Sequence, residues 1–238
     1  MQNGDARPDL SAWIGSVMAD PALLTMGHNQ RATDHNLGLG WLYYALARIV
    51  YPRRAVAIGS YRGFVPLMLA KGLADNEESG ELLFIDPSMV DDFWKNADDT
   101  RAYFGRFGLN NVRHVLATTQ QFVTMPEYGR MNEIGLLFID GFHTAEQARF
   151  DYRAFEARLA PGGFALLHDS MILRRSELYG ADQAYDIDVR YFIDELKQDP
   201  ALQVLDVPYG TGLTLVRKAG SGNTEPLLIG RQARPTAG

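Results

Sequence analysis

Residues 136–152, LLFIDGFHTAEQARFDY, run from an apolar stretch into Asp140, Gly141 and His143, and then into the opening of a helix. Both ionisable groups cost free energy to desolvate, so the end of this segment is either a surface turn or a reaction centre. A second apolar run, ALLHDS (165–170), ends in His168 and Asp169. If the two runs are neighbouring strands, about 4.8 Å apart, Asp140 and Asp169 finish side by side at the carboxyl edge of a sheet. Carboxylates that close repel unless one is protonated or a cation lies between them. A divalent ion resolves the conflict, and magnesium suits oxygen ligands. His168 is a further candidate ligand; because adjacent strand residues point to opposite faces, it joins Asp169 at the ion only if the chain bends there. His143, three residues after Asp140, is placed to take a proton from a substrate hydroxyl, its unperturbed pKa lying near neutrality. Its other reading is a helix-start histidine bonded to backbone.

Three further segments have ligand-binding character. In AIGSYRG (57–63), Gly59 and Gly63 flank Ser60 and Tyr61 between a strand and a helix, where glycine lets backbone approach a ligand at the helix N-terminus, or serves packing alone. ELLFID (81–86) ends in Asp86, which can accept hydrogen bonds from both hydroxyls of a ribose, or can brace the turn before Pro87-Ser88. ATTQQF (117–122) offers Thr119 and Gln120, whose donors and acceptors can read an adenine edge. Together they point to an adenosine-containing ligand. The chain has no P-loop lysine motif, and its glycine turn lacks the full dinucleotide spacing, which argues against nucleoside triphosphates and NAD.

The elements that must position these residues follow from the apolar pattern. Strands are expected at 55–59, 81–86, 112–117, 136–140 and 164–169, with helical stretches between them, around 91–106 and most clearly at 144–160. In the latter, Ala145, Ala148, Tyr152, Phe155 and Leu159 recur at helical spacing, Thr144 with Gln147 forms a capping box, and Pro161-Gly162-Gly163 stops the helix. Helices at 10–19 and 37–50 precede the first strand, and another lies near 186–197. The segments 202–208 and 213–218 flank Tyr209-Gly210-Thr211-Gly212 as a hairpin, adding an antiparallel pair at one edge. Alternation of strands and helices makes this an α/β protein with a parallel sheet and helices on both faces. Three regions are expected: a helical segment at 1–50 serving the substrate site or oligomer contacts, a main domain at 51–218, and a flexible tail at 219–238.

The whole chain narrows the classes. It has 238 residues and no cysteine, so there is no disulfide framework and no thiolate metal site. The net charge of −6, with basic residues scattered among acids, offers no stripe for nucleic acid. No apolar run approaches the about 20 residues of a membrane span, and MQNGDARPDL lacks a signal-peptide pattern, so a cytoplasmic protein without membrane partners is expected.

The order of these motifs, closing with DVRYFIDEL (188–196), resembles the class I S-adenosylmethionine-dependent methyltransferases from about residue 26 to 218. Within them it is most similar to the small-molecule O-methyltransferases grouped with the macrolide-sugar enzymes and the cephalosporin hydroxylase-like proteins. The resemblance implies a Rossmann-like, doubly wound, seven-stranded sheet, mostly parallel with an antiparallel last strand. It implies S-adenosylmethionine as cofactor, its methionine part at Gly59, Ser60, Tyr61 and Gly63, its ribose at Asp86 and its adenine at Thr119 and Gln120. Asp140 borders that site and with Asp169 matches metal-ligand positions for Mg2+ or another divalent cation; His143 matches the proposed catalytic base. Two departures stand out: Ala57 replaces an acid that usually meets the cofactor's ammonium end, and His168 occupies an oxygen-ligand position, which favours a transition metal.

The expected acceptor is a hydroxylated small molecule, bound between 25–36 and 171–186, the latter a lid-like connection carrying Arg174, Arg175, Tyr179 and Tyr185. Tyr61, Trp94 and Phe142 are candidates for aromatic walls around a sulfonium. Apolar helices ahead of the first strand suggest a homo-oligomer. Rival readings are a non-catalytic or hydroxylase-like protein on the same fold, and an NAD-dependent oxidoreductase, for which a second turn glycine and a hydride-side pair are missing.

Overall fold

Strand alternation decides which core each side chain enters. Ala55, Ala57, Leu82, Phe84, Leu136, Phe138 and Leu166 face one apolar layer, while Val56, Ile58, Leu83, Ile85, Leu137, Ile139 and Leu167 face the other. A sheet greasy on both sides needs helices on both sides. The computed structural model describes residues 9–25, 27–78 and 80–218; the expected flexible tail lies outside them. In chain order the elements are α1 (Leu10–Met18), α2 (Pro21–Leu24), α3 (Gly40–Val50), β1 (Arg54–Ile58), α4 (Phe64–Ala74), β2 (Glu81–Ile85), α5 (Ala97–Gly105), β3 (Val112–Val115), α6 (Thr119–Phe122) and α7 (Pro126–Gly129). There follow β4 (Ile134–Ile139), α8 (Ala145–Glu156), β5 (Leu159–His168), a small hairpin of β6 (Arg174–Ser176) and β7 (Tyr185–Ile187), α9 (Val189–Leu196), β8 (Leu202–Val207) and β9 (Leu213–Lys218).

The main sheet has seven strands in the order β3-β2-β1-β4-β5-β9-β8. Its first five strands pair in parallel; β9 runs antiparallel to both β5 and β8. This is the Rossmann-like sheet expected from the sequence, with the last strand reversed. Trp13 of α1, Tyr43 of α3 and Leu67 of α4 fill the first core. Phe122 of α6, Tyr152 and Phe155 of α8 and Phe192 of α9 fill the second. The segment before β1 thus shares its core with the sheet. No helix among the described residues is long and apolar enough to cross a membrane.

Several boundaries differ from the sequence reading. The helix expected to reach residue 160 ends at Glu156, and Pro161-Gly162-Gly163 lie within β5, where pairing with β4 jumps from Leu159–Ile134 to Phe164–Leu136. Proline has no amide to give the ladder and Gly162 adopts φ +77°, so the motif bulges a strand as readily as it stops a helix. The helix expected from 91 begins at Ala97, after Asn96 accepts from the amides of Asp98 and Asp99. The helix expected from 37 begins at Gly40. The connection 171–186 carries β6 and the start of β7.

Candidate active site

Parallel pairing of Ile139 with Leu167 brings the ends of β4 and β5 level, so Asp140 and Asp169 emerge together. Asp169 has φ +52°, a left-handed bend that turns its side chain to the edge where His168 also faces. His143, on the turn into α8, completes the group: ligand-type atoms of Asp140, His143 and Asp169 lie within 4.8 Å of one another. His143 Nδ1 is 3.3 Å from Asp169 Oδ2 and 3.8 Å from Asp140 Oδ1. His168 Nδ1 is hydrogen-bonded to Asp140 Oδ1 at 2.9 Å, while its Nε2 is buried without a partner. Burial disfavours a charged His168 ring, but the Asp140 carboxylate outweighs it and raises the pKa above the ordinary histidine value. Behind His168 stands His28, 4.5 Å away ring to ring and hydrogen-bonded through Nδ1 to Tyr43 Oη at 3.1 Å. Burial, then the charge of His168, hold His28 well below the ordinary value and so neutral.

Beside this cluster opens a cavity of about 490 Å³. Gly59, Ser60, Tyr61, Asp86, Thr119, Gln120, Asp140 and His143 all line it, so one cleft gathers residues drawn from the ends of β1, β2, β3 and β4. Gly63 does not line it; a Cβ there would lie 2.9 Å from the Trp94 ring. At Gly59, with φ +72°, a Cβ would lie 2.4 Å from the Asp140 carbonyl oxygen. Both glycines therefore serve close packing within the protein, and Gly59 lets the turn after β1 touch the turn after β4. Asp86 accepts from the Ser60 amide through Oδ2 (3.0 Å) and from the Ser88 amide through Oδ1 (2.7 Å), so it braces both turns while each oxygen keeps a second lone pair. Burial raises its pKa, and those two amides offset part of the rise. Tyr61 is exposed, with the Arg62 guanidinium 3.8 Å from its ring centre. Trp94 lines the cleft from a buried position, its indole donating to the Ser60 carbonyl at 3.3 Å.

Two residues in the same cleft escaped the sequence reading. The capping box assigned to Thr144 and Gln147 is half formed: the Thr144 hydroxyl accepts from the Gln147 amide, but the Gln147 side chain does not return to the cap. It donates instead to Asp151 Oδ1 at 2.7 Å and accepts from Gln120 Nε2 at 2.7 Å. Asp151 is buried, and burial raises its pKa to about 6 although the Thr119 and Gln147 side chains offset part of the rise. Thr119 Oγ1 faces that carboxylate without reaching good hydrogen-bond geometry. The available signal was an acid on the apolar stripe of α8, three residues after Ala148 and one before Tyr152. The complete capping box belongs to α6, between Thr118 and Gln121.

The expected acceptor segments are placed unevenly. None of residues 27–36 lines the cavity; His28 is buried behind His168 instead. From 171–186, Leu178, Tyr179 and Gln183 line it, whereas Arg174, Arg175 and Tyr185 do not. Tyr185 stacks on Phe142 with centroids 4.1 Å apart and Tyr179 lies 5.7 Å from the same ring, so the hairpin roofs the turn between Asp140 and His143. Arg175 pairs with Asp186 on the exposed side of the hairpin.

Residues 56–170 match the family described as Methyltransferase domain. No curated protein matches the chain. Among solved structures, a protein from Corynebacterium glutamicum is 24% identical, with a TM-score of 0.62 over 89% of this chain and 92% of that one. The O-methyltransferase of Bacillus cereus, in complex with S-adenosylhomocysteine, is 17% identical, with a TM-score of 0.60 over 90% and 94%. The O-methyltransferase TomG of Streptomyces achromogenes, involved in tomaymycin synthesis and in complex with S-adenosylmethionine, is 19% identical, with a TM-score of 0.56 over 92% and 100%.

Proposed function

From the match of residues 56–170 to the methyltransferase-domain family we propose that the chain transfers the methyl group of S-adenosylmethionine to a hydroxyl of a small molecule, with a divalent cation at Asp140 and Asp169. The observation that carries this reading is the meeting of Asp140, His143 and Asp169 at the rim of a cleft lined by the turns after β1, β2 and β3. The cleft suits the cofactor: Asp86 retains acceptor capacity for ribose hydroxyls, Ser60 and Tyr61 border the methionine end, and Thr119 with Gln120 border the base. Adenosyl-cofactor complexes of the Bacillus and Streptomyces proteins, which share the fold, support the choice.

Two carboxylates that face each other form a donor set that fits a divalent cation. Such an ion, when bound, supplies positive charge that lowers the pKa of an acceptor hydroxyl. Asp140 and Asp169 would hold it, and His168 keeps Asp140 oriented through their 2.9 Å hydrogen bond. With Nδ1 turned to the carboxylates, His143 has Nε2 as the nitrogen to take the acceptor's proton. The methyl on a sulfonium is already activated, so the remaining task is alignment, worth on the order of 7–11 kcal/mol in the best intramolecular analogues. The Phe142–Tyr185 stack lies over the turn between Asp140 and His143.

Calorimetry with S-adenosylmethionine, with and without magnesium or manganese, tests the first half: absence of cofactor binding overturns the reading. Turnover on a panel of hydroxylated acceptors tests the second. Asp140→Ala and Asp169→Ala should abolish metal-dependent transfer, and His143→Ala should lower kcat about 10²–10⁴-fold with cofactor affinity nearly unchanged. Full activity in chelator would remove the metal from the scheme.

A further inference from the structure

Gln120, Gln147 and Asp151 form a hydrogen-bonded chain whose direction is set by chemistry. A carboxylate only accepts, so Gln147 presents its NH2 to Asp151 Oδ1, at 2.7 Å. Its carbonyl oxygen then faces Gln120, which must donate in turn, also at 2.7 Å. The polarity passes along the row and leaves the Gln120 carbonyl oxygen, on a residue lining the cleft, as the group free to accept. All three residues line that cleft, and Asp151 approaches its floor, where a Cβ on Gly141 would stand 3.5 Å from Oδ2. We propose that Asp151, acting through Gln147, fixes the orientation of the Gln120 amide so that the cleft selects a purine bearing an amino group at position 6 over one bearing an oxo group.

Asp151 and Gln147 are on this view positioning residues for the nucleoside, and the assignment rests on the cofactor reading above. A 6-amino group donates to the Gln120 oxygen, whereas a 6-oxo group sets two acceptors against each other. Asparagine at 151 can donate or accept, so it no longer dictates the direction of the row. A buried acid whose charge is disfavoured by its surroundings is also an expensive way to orient an amide unless the orientation matters.

The test is calorimetric titration of the full-length protein with S-adenosylhomocysteine and with S-inosylhomocysteine, which differ at that position. The wild type should bind the adenosyl compound at least tenfold more tightly. Asp151→Asn and, independently, Gln147→Met should narrow the ratio about tenfold, chiefly by weakening the adenosyl compound, and circular dichroism should show both variants folded. A ratio equal to the wild type's in both folded variants overturns the inference and leaves the cofactor reading standing. A wild type that binds neither compound overturns both.

Discussion

Asp151 carries an acidic group inside the protein, and its raised pKa has a sign that can be measured. With a folded value of about 6 against an unfolded value near 3.8, the native state holds the extra proton between those limits. Stability therefore falls as pH rises from about 4 to about 6, and the full cost, on the order of 3 kcal/mol, is present above pH 6. Asp151→Asn should accordingly raise the melting temperature at pH 7.5 and flatten this part of the pH–stability profile; a variant less stable than wild type at pH 7.5 would show that the carboxylate is better accommodated than its burial implies. Gly59 gives a second residue-level expectation. Gly59→Ala meets both a left-handed φ and the Asp140 carbonyl at 2.4 Å, whereas Gly108→Ala meets a similar φ with open space around it. The first should cost clearly more in urea unfolding than the about 1 kcal/mol expected of the second, and should reduce turnover by shifting the Asp140 turn.

At the scale of elements, the site depends on short pieces held by local chemistry. α6 is one turn long, too short to persist on propensity, and its Thr118–Gln121 capping box supplies what length does not. Thr118→Ala should destabilise the protein by about 1 kcal/mol and weaken nucleoside binding, because Thr119 and Gln120 lose their frame. The hairpin of β6 and β7 is equally small, and the Phe142–Tyr185 stack ties it to the turn between Asp140 and His143. Tyr185→Ala should raise the acceptor KM more than the cofactor Kd, and an equal rise in both would mean that the hairpin serves the cofactor instead. Sequence periodicity exposed the long elements because α8 and the buried strands repeat over many residues. It missed β6 and β7, each three residues long, and misjudged 161–163, where proline and glycine signal an interruption without saying of what.

At the scale of the molecule, the segment before β1 is continuous with the core. Trp13 is buried, donates through its indole to the Phe107 carbonyl at 3.0 Å, and shares an apolar cluster with Tyr43, Phe64 and Phe138. Trp13→Ala should cost about 3–5 kcal/mol and move one cooperative unfolding transition as a whole. A separate early transition, leaving the rest of the sheet folded, would show that the leading helices are an independent layer. This continuity carries to the site: His28, from the same segment, packs on His168, which bonds Asp140.

The sequence by itself determined the α/β class and the order of the long elements, because apolar alternation and helical spacing are local records of burial, and the glycine-rich turn at 209–212 marked the antiparallel pair at one edge. The sequence also marked Asp140 and Asp169, since acids closing buried strands contradict their surroundings, and His143, three residues after Asp140 at the entrance of a helix. Only the tertiary structure decided that β4 and β5 stand side by side with their ends level, that a left-handed bend at Asp169 brings His168 to the same edge, and that Gln147 leaves its cap for Asp151. Those outcomes depend on register, on backbone dihedrals and on competition between partners far apart in the chain, and none of these leaves a repeating trace in the order of residues.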